Sequence, residues 1–247
     1  MFTSYDLLTQ GHKIDEAVLK AFDFRVQIRQ GDLDLIPKSG SVLVVGNHPF
    51  GIVDGIVISS MLRKVRSDLR VMAHQGVSDI SIFSNYFLPI NFSGTREASR
   101  INRSTIKLFK SHLSNGGAGV IFPAGSVSTR LPLWKKNCDL PWFPSAAKWA
   151  REFNSKVVPV FVDGACGPLF QLASQFSTTL RLGSLLHENL KLIDSEIGIR
   201  IGEPIDLSYL PSEWSHDELT SHFRKKCYGL AGLDSLGKKI STEENAL

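Results

Sequence analysis

No stretch of the 247-residue sequence reaches the roughly 18 consecutive apolar residues of a membrane-spanning helix. The opening MFTSYDLLTQGHKIDEAVLK lacks the basic-then-apolar order of a secretory signal. A lipid substrate would therefore be met from the membrane surface. Cysteine is scarce: Cys138, Cys166 and Cys227 are an odd, widely spaced set without a CxxC pair. That excludes a disulfide framework or a cysteine zinc site and fits a reducing cytoplasm. There is no HExxH and no Cys/His cluster, so no catalytic metal and no cofactor are expected. GxSxG and GxxxxGK[ST] are absent too, which removes the serine nucleophile elbow and the phosphate loop. With 43% hydrophobic and 21% charged residues, disorder and coiled coil are poor readings of the bulk.

What is present alternates between two periods. Ile14, Val18, Leu19 and Phe22 have helical spacing and predict a short opening helix. Strands are predicted at 41–46 (SVLVVG), 69–73, 86–90, 117–122, 156–162 and 196–205, and helices at 51–66, 96–113, 144–153 and 215–231. This alternation implies βαβ units: an α/β single domain with a mostly parallel β-sheet flanked by helices. The expected division is an N-terminal helical segment over 1–23, the main domain over 24–232 and a flexible tail over 233–247. In such sheets ligands bind beyond the carboxyl ends of the strands.

Two chemical blocks fall there. In GNHPFGIVDG (46–55), His48 ends a strand and Asp54 follows six residues later in a glycine-rich turn. An imidazole accepts a proton from a hydroxyl near neutral pH, and a carboxylate on its second nitrogen fixes the tautomer. The competing reading is a strand-to-helix turn in which His48 caps backbone groups and Asp54 is solvated. In IFPAGSVSTR (121–130), Pro and Gly shape a turn whose backbone N–H groups can face an oxyanion. Ser126 and Ser128 add hydroxyls there, and Arg130 a charge. Between the blocks, Arg96, Arg100, Arg103, Lys107 and Lys110 form one stripe on a predicted helix, with Ala98, Ile101, Leu108 and Phe109 on its core side. The stripe is either a solvated basic face or a surface for lipid phosphates and an anionic membrane. No aromatic residues interleave with it, so nucleic acid is not expected. Cys166 reads as a buried inert thiol and His112 as a core-facing histidine.

The order NHPFGIVDG, GTREASR, GGAGVIFPAGSVS, VVPVFVDG, RIGEPI resembles the glycerolipid acyltransferase superfamily, nearest its hemolysin-like, lyso-ornithine-lipid acyltransferase branch. The resemblance runs from about residue 24 to 206. It implies a glycerol-3-phosphate acyltransferase-like fold and transfer of an acyl group from acyl-CoA or acyl carrier protein to the hydroxyl of a lysolipid. It also implies a cytoplasmic protein, peripheral on the inner face of the membrane. By the same resemblance His48 is the base and Asp54 its partner. Arg96 contacts the acceptor's phosphate, and Asn47, Phe122, Pro123, Gly125 and Ser126 are substrate-binding positions. Two departures stand out: five residues separate His48 from Asp54 where most of the superfamily has four, and Ala124 and Ser126 stand where glutamates are usual. Two alternatives compete, a hydrolase that gives the acyl group to water and a lipid-binding protein without turnover.

Overall fold

A computed structural model of the chain describes residues 17, 19, 20, 22–78, 86–130, 134, 136–176 and 178–240. The strands are β1 (Arg25–Gln30), β2 (Val42–Gly46), β3 (Leu69–His74), β4 (Phe87–Ile90), β5 (Ala118–Ile121), β6 (Lys156–Val162) and β7 (Glu196–Ile201). The main helices are α1 (Ile52–Leu62), α2 (Arg96–Ser114), α3 (Ser145–Glu152), α4 (Pro168–Phe176), α5 (Thr178–Leu190) and α6 (His216–Gly229), with one further helical turn at Gln75–Ser78. The strands form one sheet in the order β1-β7-β6-β2-β5-β3-β4. Every neighbouring pair is parallel except β6 with β7.

The apolar run VLVVG follows from position. β2 pairs with β5 on one side and β6 on the other, and all five of its residues are buried. Val42 and Val44 enter one core with Val53, Val57 and Phe170; Leu43 and Val45 enter the other with Phe109, Ala146 and Phe223. Each such side chain contributes about 1.5–3 kcal/mol by leaving water. The first core is covered by α1, α4 and α5, the second by α2, α3 and α6.

This layering places the site. The chain leaves β2 into α1 on one face, and leaves the adjacent β5 toward α3 on the other. Two neighbouring strands whose connections diverge open a crevice beyond their carboxyl ends. α2 starts at that end, after β4. The α4–α5 hairpin leaves and returns to it, because antiparallel β7 begins where β6 finishes. At the opposite end Arg66, 5% exposed, donates to the carbonyls of Pro37, Gly40 and Gly116 and pairs with Asp68 at 2.8 Å. One guanidinium thereby closes three loops.

Several expectations shift. β1 and the α4–α5 hairpin are not among the elements that periodicity predicts, and the late strand stops at Ile201 instead of 205. Of the opening helix, Ile14 and Val18 lie outside the described residues; Leu19 packs against the core and Phe22 is exposed. On α2 Ala98 and Phe109 are buried as expected, while Leu108 faces solvent and Thr105 and Leu113 turn inward. The start of the expected loose tail is held: Leu233 bridges Lys239, and the Ser235 carbonyl accepts from Arg224 Nε at 2.8 Å.

Candidate active site

The crevice is organised by the turn between β2 and α1. Gly51 caps α1 with φ 75° and ψ −116°, a conformation that residues with a Cβ rarely adopt. The bend brings Asp54, in the first turn of the helix, back under the loop. Its Oδ2 accepts from the backbone N–H groups of Phe50 and Gly51, both at 2.9 Å, and lies 3.0 Å from Nδ1 of His48. The same carboxylate oxygen therefore caps the helix and sits in contact with the imidazole. Asp54 is fully buried, and desolvation raises its carboxyl above the usual range against the pull of His48 and the two N–H groups.

The second block supplies the facing wall. Phe122 stacks on the His48 ring with centroids 4.1 Å apart. The chain then turns through Gly125 at φ 63°, whose N–H returns to the Phe122 carbonyl at 3.0 Å. Farther along the turn, Ser128 N–H donates to the His48 carbonyl at 2.8 Å. With Nδ1 turned to Asp54 and one ring face on Phe122, the His48 side chain keeps 18% exposure. Nε2 is the nitrogen left for a substrate proton. The arrangement suits general-base removal of a hydroxyl proton, with tautomer and charge supported by Asp54.

The other positions read from the sequence separate into contacts and supports. Asn47 is buried, and its amide is spent on Val162: Nδ2 donates to the carbonyl at 2.9 Å and Oδ1 accepts from the N–H at 2.7 Å. It ties the end of β2 to the end of β6. Pro123 and Ala124 are buried, with Ala124 in the apolar cluster of Trp142 and Ala146, so the place of one missing glutamate is apolar core. Gly125 is exposed, and Ser126 Oγ is buried with no hydrogen-bond partner among the described residues. Arg96 is exposed in the first turn of α2, at the site end of the sheet. The basic stripe is partly neutralised, since Arg100 pairs with Glu97 at 2.8 Å and Lys110 with Glu152 at 2.7 Å. Cys166 donates to the Pro49 carbonyl at 3.2 Å, and burial pushes its thiol up to about 12. His112 is half-buried against the Ala118 carbonyl, which fits its core-facing reading.

One further carboxylate belongs to the site and escapes sequence reasoning. Asp139 is 3% exposed, and its Oδ1 accepts from the His48 backbone N–H at 3.1 Å, 91 residues away in sequence. It lies in NCDLPWF, a segment without helical or strand periodicity, and no sequence signal points to it. Among the described residues no group of three His, Cys, Asp or Glu side chains is placed to hold a metal, and no helix is long and apolar enough to cross a membrane.

Residues 15–236 match the family model described as Acyltransferase, most of the chain. The chain belongs to that family and is an acyltransferase. It is 24% identical over 212 residues to the lyso-glycine lipid O-acyltransferase of Phocaeicola vulgatus, covering 81% of this chain and 73% of that protein. It is 22% identical over 212 residues to the lyso-glycine lipid O-acyltransferase of Bacteroides thetaiotaomicron, covering 81% and 75%. The crystal structure of the 1-acyl-sn-glycerophosphate (LPA) acyltransferase PlsC from Thermotoga maritima has the same fold, with a TM-score of 0.51 and 20% identity over 89% of this chain and 80% of that one.

Proposed function

We propose that the chain is a lysolipid O-acyltransferase in which His48 is the general base. The observation that carries this is the contact between His48 Nδ1 and buried Asp54 at 3.0 Å, just beyond the carboxyl end of β2. His48 Nε2 takes the proton of the acceptor hydroxyl as the oxygen forms a bond to the thioester carbonyl carbon. The C–S bond then breaks, and the departing thiolate takes the proton from the imidazolium. A thioester is already activated, so no acyl-enzyme is needed. Backbone N–H groups of the 124–127 turn other than that of Gly125, which is held by the Phe122 carbonyl, hold the oxyanion. The donor is acyl-CoA or an acyl carrier protein, and the acceptor a lysolipid with a free hydroxyl. The names of the curated relatives make a lyso-glycine lipid the first acceptor to try, with lysophosphatidic acid as the comparison.

Such an acceptor resides in a bilayer, and the protein meets it with the site end. Phe92 and Phe143, 61% exposed each, flank Gly125. Leu169, Leu172, Leu180 and Leu186 face solvent on the α4–α5 hairpin. Between 168 and 186 the only charged residue is Arg181, which folds back to donate to the Val127 carbonyl at 2.8 Å. The basic stripe contributes only through its start. Eleven residues at 1.5 Å each put Lys107 about 16 Å farther along α2 than Arg96, beyond a Debye length of about 8 Å.

The test is acyl transfer by the purified protein to each lysolipid presented in anionic vesicles, with either donor, beside His48→Ala. Wild type should form the O-acylated lipid and His48→Ala should be about 10²–10⁴-fold slower. Release of free fatty acid alone would instead identify a hydrolase. A His48→Ala protein keeping more than about a tenth of the rate would remove His48 as base.

A further inference from the structure

The His48 main chain is held from both sides, and one side converges on a buried carboxylate with an unusually complete set of partners. Asp139 Oδ1 accepts from the His48 N–H at 3.1 Å and from the Ser128 hydroxyl. Oδ2 accepts from Trp142 Nε1 at 2.8 Å. The backbone of Asp139 is pinned in turn: its N–H donates to the Tyr228 hydroxyl at 2.8 Å, and its carbonyl accepts from Arg224 at 2.6 Å. Tyr228 and Arg224 sit near the end of α6, which rises to the site end of the sheet. Ser128 closes the loop by donating its N–H to the His48 carbonyl.

We propose that Asp139 is a positioning residue for the acyl transfer: through the His48 backbone it fixes where the imidazole meets the acceptor hydroxyl. Asp54 sets the ring's tautomer and tilt, and Asp139 sets the location of the peptide unit that carries it. An ångström of drift at a catalytic group costs up to about 10²-fold in rate. Carrying a full charge out of water to hold one loop peptide is expensive. A neutral acceptor would serve a purely architectural loop at lower cost. An asparagine cannot replace it, because it has one acceptor oxygen. Either His48 and Ser128 or the Trp142 indole would then face an amide NH₂, donor against donor.

This inference rests on His48 as the base, and the variants separate the two. Asp139→Asn, Ser128→Ala and Arg66→Ala are prepared in the full chain, with thermal midpoints and with kcat and KM for donor and acceptor. Arg66 lies at the far end of the sheet, so its variant controls for lost stability alone. Asp139→Asn should lose about 10–100-fold in kcat with both KM values within about threefold of wild type. Ser128→Ala, which removes one partner of Oδ1, should lose about three- to tenfold in kcat on the same pattern, and it decides the matter if Asp139→Asn does not fold. Arg66→Ala should melt lower while keeping kcat. If Asp139→Asn lowers the midpoint but keeps kcat, or loses no more kcat than Arg66→Ala, Asp139 is only architectural. Wild-type kcat in Ser128→Ala beside an unfolded Asp139→Asn would equally reduce Asp139 to architecture. An active His48→Ala would sink the base assignment, whereas an inactive His48→Ala with a normal Asp139→Asn would sink this inference alone.

Discussion

At the amino-terminal end of the parallel strands, the buried guanidinium of Arg66 is matched by three backbone carbonyls and by Asp68. At the carboxyl end, Asp54 and Asp139 are buried as deeply but are matched differently. Asp139 has partners on both oxygens, whereas Asp54 uses Oδ2 for three contacts and leaves Oδ1 buried with no hydrogen-bond partner among the described residues. Burial raises both carboxyl groups above their usual range. A buried charge with partners on every polar atom holds the main chain around it, loops at Arg66 and the peptide of the reacting base at Asp139. One left partly unsatisfied costs stability, and the fold tolerates that cost where the carboxylate faces the reacting base.

The largest way to break this contrast is Asp54→Asn. The asparagine oxygen still accepts from Phe50 and Gly51, so the helix cap survives, but the imidazole loses its anionic partner. Where an orienting carboxylate is amidated in a comparable triad, turnover falls by about 10⁴-fold. A fall in kcat of about 10²–10⁴-fold with near-normal donor binding is expected in steady-state assays. Wild-type turnover would mean that the carboxylate is a cap and nothing more. Arg66→Ala is the opposite case. Three orphaned carbonyls and a lost ion pair should cost about 2–4 kcal/mol. At about 2–4 °C per kcal/mol for a chain near this size, the thermal midpoint should fall by about 5–15 °C. Turnover per folded molecule should stay within twofold, and a larger loss would show that the two ends are coupled.

The same contrast explains what the sequence discloses. β2, β5 and β6 are buried on both faces, so they read as unbroken apolar runs between glycines and prolines. His48 and Asp54 share one turn, and their local spacing carries the hypothesis. β1, RVQIRQ, is an edge strand with only Val26 and Ile28 turned toward the core, too short an alternation to stand out. α4 and α5 carry so many outward leucines that amphipathic spacing is blurred. Trp134 and Trp142 both lie in a segment without periodicity, yet Trp142 is buried against Asp139 whereas Trp134 is 86% exposed. Asp139 is the extreme case. Its meaning arises only when residues 48, 128, 142, 224 and 228 converge, and no local pattern records contacts made across 91 positions.

The smallest and sharpest test concerns the cost of the Asp54 charge. Its native carboxyl is raised by desolvation, so between the ordinary carboxylate value of about 3.9 and the raised native value the folded state binds more protons than the unfolded chain. Wild-type stability must then fall as pH rises through that window, because unfolding releases the excess proton. The amide introduced by Asp54→Asn does not titrate, so the variant lacks this dependence. Stability measured by urea unfolding at pH 4, 5.5 and 7 should therefore favour Asp54→Asn by a margin that widens with pH, at no more than about 1.4 kcal/mol per unit. The His48 ring opposes the shift, so the same comparison made in a His48→Ala background should widen faster. A margin that stays flat, or narrows as pH rises, would mean that the ring and the two backbone N–H groups fully offset the burial of Asp54. Asp54 would then be as well matched as Arg66, and the two ends of the sheet would not differ in the way their charges are held.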